Sequence, residues 1–362
     1  MSTEYGKNLK ITIYGGSHDS EIGIIAEGLP CGFAPDIELL KSFMKRRAPG
    51  QNSYSTTRRE ADEPVFLSGI ENGILNGEKL HAVIYNTNQR SSDYASCEFV
   101  PRPSHADFAA RMKYGDKVDL RGGGHFSGRL TAPMCIVGGI CLQYLSSRGI
   151  YVGAHLLCVL DEYDTHFDPV ALDKETLIAP SLSSFPVLDE NAGSRMRDKI
   201  EEARLDCDSV GGIVECGAIG LPAGLGEHMF DGVENRISSI VFGIPAVKGI
   251  EFGNGFECAH MKGSENNDPF RTDGKRIYTL SNNAGGILGG MTSGMPLIFR
   301  AAMKPTPSIF KEQDSVDMIS MTNKSISIKG RHDPCVAVRA VPVFEAATAI
   351  AITDMLLDTT NN

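Results

Sequence analysis

The run PMCIVGGICLQYL at residues 133–145 is apolar on every face that a helix would present. A helix without a polar stripe is stable only where protein covers it on all sides, so this run predicts a buried helix. It is too short, and too interrupted by Gly138, Gly139 and Gln143, to span a membrane. We therefore expect a helix in the core rather than an amphipathic helix at the surface.

Composition indicates a folded and acidic chain. The 362 residues are 41% hydrophobic and 22% charged, which suits a large core and argues against disorder. A net charge of −10 argues against nucleic-acid binding, because phosphate neutralisation needs a basic face. The first residues lack the apolar segment of a signal peptide, and the nine cysteines contain no C-x-x-C pair. We expect a cytoplasmic protein with reduced thiols, no metal site and no membrane partner.

Helical and strand patterns alternate around the central run without a clear linker. One predicted helix opens at Pro35 and Asp36 and ends near residues 46–48, and another covers 343–357. A third is a surface segment marked by Met196, Ile200 and Ala203. Predicted strands cover 11–14, 80–85, 150–160, 213–221 and 296–301. We expect one domain over residues 1–362. Glycine clusters that lead into apolar segments, at 121–139 and 282–290, leave an internal pseudo-repeat open.

Residues able to carry chemistry fall in five segments rich in glycine or proline. The densest joins RPSHAD at 102–107 to RGGGHFSGR at 121–129, and it places a histidine among arginines beside exposed backbone N–H groups. This combination suits an anionic ligand with a nearby proton donor. The others are GGSHD at 15–19, KRRAPG at 45–50 with Arg58 and Arg59, KPTPS at 304–308, and GRHDPC at 330–335. Taken singly, each is equally compatible with a tight turn, a solvated helix end or a surface ion pair.

These segments resemble the motifs of the chorismate synthase family, both in their residues and in their order along the chain. GGSHD is similar to the family's Gly-Glu-Ser-His-Gly turn, and residues 46–50 are similar to its Arg-rich Pro-Gly segment. The series continues over nearly the whole chain with 86–94, 102–107, 121–131, 283–290, 304–308 and 331–342. The resemblance implies an α+β fold, a four-layer β-α-α-β sandwich with central helices, assembled as a homotetramer.

The resemblance also implies an activity. Family members are lyases of the shikimate pathway, on the route to aromatic amino acids. They convert 5-enolpyruvylshikimate-3-phosphate to chorismate by a 1,4-anti elimination of phosphate. Reduced FMN is required without net redox change, and it is thought to take the C6 hydrogen at its N5. The reducing power would come from NADPH or from an external flavin reductase, and we favour the second type.

Site residues are carried over by matching motif positions. The implied catalytic residues are His18 for the departing phosphate, His105 near flavin N1, and Asp333 for proton handling at flavin N5. Because the substrate carries two carboxylates and a phosphate, an arginine lining is expected, and we assign it to Arg47, Arg102, Arg129 and Arg339. The implied flavin contacts are Ser17, His125, Phe126, Ser127, Ala246, Gly289, Lys304, Thr306, Ser308 and Arg331.

The chain departs from the family pattern at several of these positions. The departures are Gly16, Asp19, Ser53, the pair His125 and Phe126 in place of Arg-Ser, and Pro307. Two alternatives stay open: a flavin-independent phosphate-ester lyase that uses the same arginines, and a catalytically impaired homologue that binds flavin or phosphate. Because the two histidines and the aspartate are kept, we expect an active enzyme.

Overall fold

The computed structural model describes residues 2–50, 60–86, 99–328 and 332–359. The helices are α1 (Ile37–Arg47), α2 (Asp107–Tyr114), α3 (Thr131–Ser147), α4 (Lys174–Ile178), α5 (Glu190–Leu205), α6 (Val233–Phe242), α7 (Gly263–Asn266) and α8 (Ala337–Thr359). The strands are β1 (Ser2–Tyr5), β2 (Lys10–Gly15), β3 (Glu21–Glu27), β4 (Val65–Ser68), β5 (Ile70–Glu71), β6 (Ile74–Leu75), β7 (Leu80–Tyr85), β8 (Tyr151–Val159), β9 (Glu162–Tyr163), β10 (Gly212–Ile219), β11 (Val247–Phe252), β12 (Phe270–Thr272), β13 (Ile277–Thr279), β14 (Ile287–Leu288), β15 (Met291–Thr292), β16 (Leu297–Met303), β17 (Gln313–Asp317) and β18 (Thr322–Ile326).

Two five-stranded antiparallel sheets form the outer layers. The first sheet has the order β1-β2-β3-β7-β4, and the second has the order β11-β16-β10-β8-β9. In the first, Ile13 of β2 pairs with Ile24 of β3. In the second, Cys216 of β10 pairs with Phe299 of β16. All four residues are buried, so each sheet turns an apolar face towards the interior.

The helices α3 and α8 lie between the sheets and pack against each other. Helix α3 also contacts β3 and β7 of the first sheet, while α8 contacts β8 and β10 of the second. Gly138 permits the close approach of the two helices, because a Cβ atom there would overlap the backbone of Ala346. The predicted four-layer β-α-α-β sandwich is therefore confirmed, and so is the buried helix over 133–145.

Helices α3 and α8 are also long and apolar enough to cross a membrane by length and composition alone. Most of their residues are buried against each other and against the two sheets. Their hydrophobicity is accounted for by their place in the core.

Helix ends show where sequence patterns succeed and fail. Helix α1 begins directly after Asp36, whose side chain accepts hydrogen bonds from the first backbone N–H groups, and it ends at Arg47 within the predicted region. Helix α8 begins at Ala337, six residues before the predicted start, and it contains Pro342. Proline lacks the donor that an inner helical position needs, which is why the pattern placed the start after it. Burial of Val341 and Phe344 on either side offsets that lost bond.

Candidate active site

A cleft of about 340 Å³ opens where the two central helices begin. Gly128 and Arg129, just before α3, line one part of it, and Val336 and Arg339, at the start of α8, line another. The first N–H groups of a helix have no partner within the helix, and the helix dipole adds partial positive charge there. The backbone alone therefore favours an anion in this cleft.

The cleft brings together residues that are far apart in the sequence. The predicted site residues that line it are Arg47, Arg102, His105, Phe126, Ser127, Arg129, Ala246, Lys304, Thr306, Ser308, Asp333 and Arg339. Among the described residues, Ser17, His18, His125 and Gly289 do not line it. Arg331 and Ser53 lie outside the described residues, as do Arg58, Arg59 and most of 86–94.

Two buried arginines in the cleft share one carboxylate. The Nη1 groups of Arg47 and Arg129 both donate to Asp62, and Arg129 Nη2 forms an ion pair with Glu60 Oε2 at 2.6 Å. Burial would raise the pKa of Asp62, but the two guanidinium groups outweigh it and hold that pKa below its usual range. The arginines are thus fixed before any ligand arrives. Neither carboxylate stood out in the sequence, because only the fold turns residues 60–62 towards Arg47 and Arg129.

Asp333 and Arg339 form a second ion pair in the cleft wall. Arg339 Nε donates to Asp333 Oδ2 at 2.7 Å, and Arg339 Nη2 lies 2.6 Å from the same oxygen. The early start of α8 places Arg339 in its first turn, within reach of Asp333 just ahead of the helix. The residue predicted for proton handling and the residue predicted to bind substrate are therefore joined by an ion pair in the cleft wall.

His18 lies directly behind the cleft wall. The Ser17 hydroxyl donates to the Arg121 carbonyl at 3.0 Å, and it has only one proton to give. His18 Nδ1, 3.1 Å from the same hydroxyl, must then be the donor to Ser17, so the neutral ring carries its proton on Nδ1. Gly122 lines the cleft, and a Cβ atom there would lie 2.5 Å from His18 Nδ1 and 2.6 Å from Ser17 Oγ.

His105 lines the cleft itself. Its Nδ1 lies 2.8 Å from Asp107 Oδ1, a residue to which the sequence alone assigned no role. A Cβ atom on Gly123 would lie 3.4 Å from both Cε1 and Nε2 of the ring. The glycine triplet therefore contacts both predicted catalytic histidines, with Gly122 against His18 and Gly123 against His105. Both glycines have a positive φ, and at Gly122 the close approach to His18 also excludes a side chain.

The segment after β16 supplies polar groups suited to a ligand. Lys304 Nζ donates to the Ser104 carbonyl, and no carboxylate pairs with it among the described residues. Burial, aided by the charge of Lys248, lowers the pKa of Lys304. Thr306 Oγ1 is buried and has no hydrogen-bond partner in the described part of the chain. A buried hydroxyl without a partner marks a position where a ligand would supply one.

The backbone of Ala246 also marks a position suited to ligand contact. Its φ of 79° is uncommon for a residue with a side chain, and its carbonyl accepts a hydrogen bond from the Lys304 backbone at 2.9 Å. A strained backbone held next to Lys304 and Thr306 fits a segment shaped for ligand contact.

Two of the residues predicted to contact flavin, His125 and Gly289, do not line the cleft. His125 Nδ1 donates to the Gly15 carbonyl at 2.8 Å, and its Nε2 lies 2.8 Å from Thr3 Oγ1. The side chain therefore ties the glycine triplet to β1 and β2. Gly289 is exposed in the turn between β14 and β15. For both residues, a role in flavin binding stays a prediction.

Comparison with known proteins finds chorismate synthases by sequence and by structure. A profile of the chorismate synthase family matches residues 9–357. A chorismate synthase from Lancefieldella parvula is 44% identical over 367 aligned positions, covering 98% of this chain and 96% of the relative. One from Thermococcus gammatolerans is 44% identical over 352, covering 97% of each. A solved structure titled "Crystal Structure of Chorismate Synthase" has a TM-score of 0.76 at 26% identity, over 98% of this chain and 93% of the other.

The fold is that of an α+β enzyme of the lyase class. With a family match from residue 9 to residue 357, the chain belongs to the chorismate synthase family.

Proposed function

We propose that the chain converts 5-enolpyruvylshikimate-3-phosphate to chorismate by 1,4-anti elimination of phosphate, with reduced FMN as the cofactor. The observation that carries this proposal is the cleft in which Arg47, Arg129, Arg339 and Lys304 surround His105 at the starts of two helices. A substrate with two carboxylates and a phosphate needs several cations at once, because its own charges repel each other.

The residues present fit a flavin phosphate and ring. Among the described residues, Thr306 offers a buried hydroxyl without a partner and Lys304 offers a cation without a carboxylate, while Phe126 offers an aromatic face. These residues, together with Ala246 and Ser308, would hold the cofactor. When bound, reduced FMN supplies the electron-rich ring that the elimination requires without net redox change.

The arginines contribute positive charge in a fixed geometry. Asp62 holds Arg47 and Arg129, and Asp333 holds Arg339, so the side chains need little reordering when substrate binds. Fixed donors lower the entropic cost of binding, and they stabilise developing charge without reorganisation. Lys304 adds a positive charge that no carboxylate balances among the described residues.

The two histidines supply protons at different places. His18 would protonate the departing phosphate from Nε2, since Ser17 occupies Nδ1. Because Gly122 stands between His18 and the cleft, the phosphate must bind at the Gly122 edge for this transfer. His105 would hold a proton at the cofactor from within the cleft, while Arg339 keeps Asp333 beside both ligands.

An anaerobic assay tests the proposal. Purified protein receives 5-enolpyruvylshikimate-3-phosphate with chemically reduced FMN, and a parallel sample receives oxidised FMN with NADPH. We expect chorismate absorbance and phosphate release in the first sample only, which would assign reduction to an external reductase. Product in both would mark an enzyme that uses NADPH itself. Product without any flavin would favour a flavin-independent lyase, and flavin binding without product would favour an impaired homologue.

We further propose that the chain acts as one domain within a cytoplasmic homotetramer. The main core cluster includes residues of both sheets and of both central helices, which favours one folding unit. The chain order of sheet, helix, sheet, helix also suits a pseudo-repeat. Phe230 and Phe256 are more than 80% exposed in the single chain, as expected for surfaces that further subunits cover. Light scattering after size exclusion should give four times the chain mass of 39.0 kDa.

A further inference from the structure

We propose that Asp107 is a positioning residue for His105, and that its carboxylate makes Nε2 the ring nitrogen that exchanges a proton in the cleft. The role of His105 in turnover rests on the proposed function. The state of its ring, in contrast, rests on geometry alone and can be measured without any activity.

Asp107 is surrounded by donors. Arg102 donates from its backbone N–H at 3.1 Å and from Nε at 2.7 Å to Oδ2, and from Nη2 at 2.7 Å to Oδ1. His105 Nδ1 completes the set at 2.8 Å from Oδ1. Both Asp107 and Arg102 are about 95% buried, so water does not compete with these contacts. The carboxylate therefore has one fixed orientation behind the histidine.

The contacts of Nδ1 define which nitrogen carries the proton. Arg102 Nη2 lies 3.2 Å from His105 Nδ1, and a guanidinium can only donate. If Nδ1 were the acceptor of that bond, its lone pair would face the Asp107 carboxylate at 2.8 Å. Two acceptors at that distance repel, while an N–H group there satisfies the carboxylate. Nδ1 is therefore the protonated nitrogen of the neutral ring.

The environment keeps Asp107 in the ionised form that this arrangement needs. Burial would raise its pKa, but the hydrogen bonds from Arg102 and His105 outweigh burial and hold the pKa well below its usual range. Asp107 also lies in the first turn of α2, where the helix dipole favours a negative charge. The carboxylate thus remains available to His105 throughout the neutral pH range.

His105 lines the cleft while Asp107, which holds its Nδ1, does not, so Nε2 is the ring nitrogen left for a ligand. Gly123 lies against Nε2 and Cε1, and His105 lines the cleft beside Ser127 and Lys304. A ring rotation that exchanged the two nitrogens would move Nδ1 away from Asp107. The carboxylate therefore fixes both the tautomer and the orientation of the ring.

The test reads the ring directly. The full-length protein with 15N-labelled histidine is studied by NMR at alkaline pH, beyond the point where the histidine signals stop changing, and the His105 signals are assigned with His105→Gln. We expect the Nδ1–H tautomer in the wild type and a mixture of tautomers in Asp107→Asn, whose amide can both donate and accept. An Nε2–H tautomer in the wild type would overturn the proposal even if no variant folded.

A kinetic assay of the Asp107 variant is the second part of the test. We expect Asp107→Asn to lower kcat on the order of 10- to 100-fold with little change in KM, as when the outer partner of a functional histidine is removed. The matched control is Asp116→Asn, which removes an exposed aspartate that pairs with Arg111 near the other end of α2. An unchanged kcat and tautomer in Asp107→Asn would overturn the proposal. If the wild type shows the expected tautomer but no turnover, the proposed function fails and the positioning role stands.

Discussion

Two histidines of this chain are bound to carboxylates in different ways. His105 lines the cleft and has one ring nitrogen on a carboxylate, that of Asp107 at 2.8 Å. His155, in the middle of β8, is fully buried and has both nitrogens on carboxylates. Its Nδ1 lies 2.9 Å from Asp164, and its Nε2 lies 3.0 Å from Glu215.

The difference separates a structural histidine from one that can exchange protons. Burial would lower the pKa of His155, but the two carboxylates outweigh burial and raise it. Losing either proton would leave a buried carboxylate facing a lone pair, so the ring is held as a cation that joins β8 to β10. His105 has the same kind of support on one side only. Its Nε2 has no carboxylate partner in the described part of the chain, and the ring lines the cleft.

The sharpest test of this comparison is to remove the histidine in the cleft. We expect His105→Ala to lower kcat by about 10²- to 10⁴-fold, the usual contribution of a positioned acid or base. The melting temperature should change little, because Arg102 still pairs with Asp107. Anaerobic turnover and thermal melts measure the two effects. Wild-type turnover in this variant would remove His105 from the mechanism.

Removing the buried histidine should have the opposite outcome. We expect His155→Ala to lower the free energy of unfolding by about 3–5 kcal/mol, because two buried carboxylates lose their shared partner. The kcat of the folded fraction should not change. Urea unfolding at neutral pH measures the loss. The control is His228→Ala, which removes an exposed histidine paired with Glu227 and should leave stability unchanged. Equal stability of the two variants would contradict a structural role for His155.

Acid should weaken the buried cluster through Glu215. Burial would raise the pKa of Glu215, but hydrogen bonds from His155 and His166 outweigh burial and lower the pKa from 4.5 to about 2. Since the folded pKa lies below the unfolded one, this stability is present above about pH 4.5 and is lost as the pH falls towards 2. The shift corresponds to about 3 kcal/mol. Urea unfolding over this pH range should show the decrease, and Glu215→Gln should flatten it. An identical slope in the variant would exclude Glu215 as its source.

The smallest of these effects concerns the glycine between His18 and the cleft. A Cβ atom in Gly122→Ala would overlap His18 and Ser17, so we expect kcat to fall by about 10²-fold through misplacement of His18. Gly149→Ala is the matched control, because Gly149 also has a positive φ but has open space around its Cβ position. It should cost about 1–2 kcal/mol in stability and leave kcat unchanged. Equal kcat losses in the two variants would trace the effect to backbone strain.

The sequence predicted the fold better than it predicted the supports of the site. An apolar run such as 133–145 predicts a buried helix from its composition alone. Its packing partners need not be known. The start of α8 was not, because the packing around Pro342 overrides the local preference of proline. Motif order predicted most residues that line the cleft. It gave no role to Asp62, Glu60 or Asp107, since an ion pair depends on side-chain directions that only the fold sets.

His155 and His18 both have tertiary contacts that the sequence does not reveal. His155 lies within the apolar strand VGAHLLCV, where nothing in the sequence reveals the two carboxylates that bind it. His18 was identified by its motif, but its place behind Gly122 follows from the contact between two loops, and no spacing encodes that contact. Local patterns thus predicted candidate residues, while tertiary contacts decide what surrounds each one.

The most direct test of the central claim is a crystal structure of this chain with FMN and 5-enolpyruvylshikimate-3-phosphate. We predict that both ligands occupy the cleft between the starts of α3 and α8. The flavin should lie within hydrogen-bonding distance of His105 Nε2 and Thr306 Oγ1, and the substrate phosphate should lie at the Gly122 edge near His18. Ligand density on another surface, or a flavin contact made through His105 Nδ1, would contradict this account.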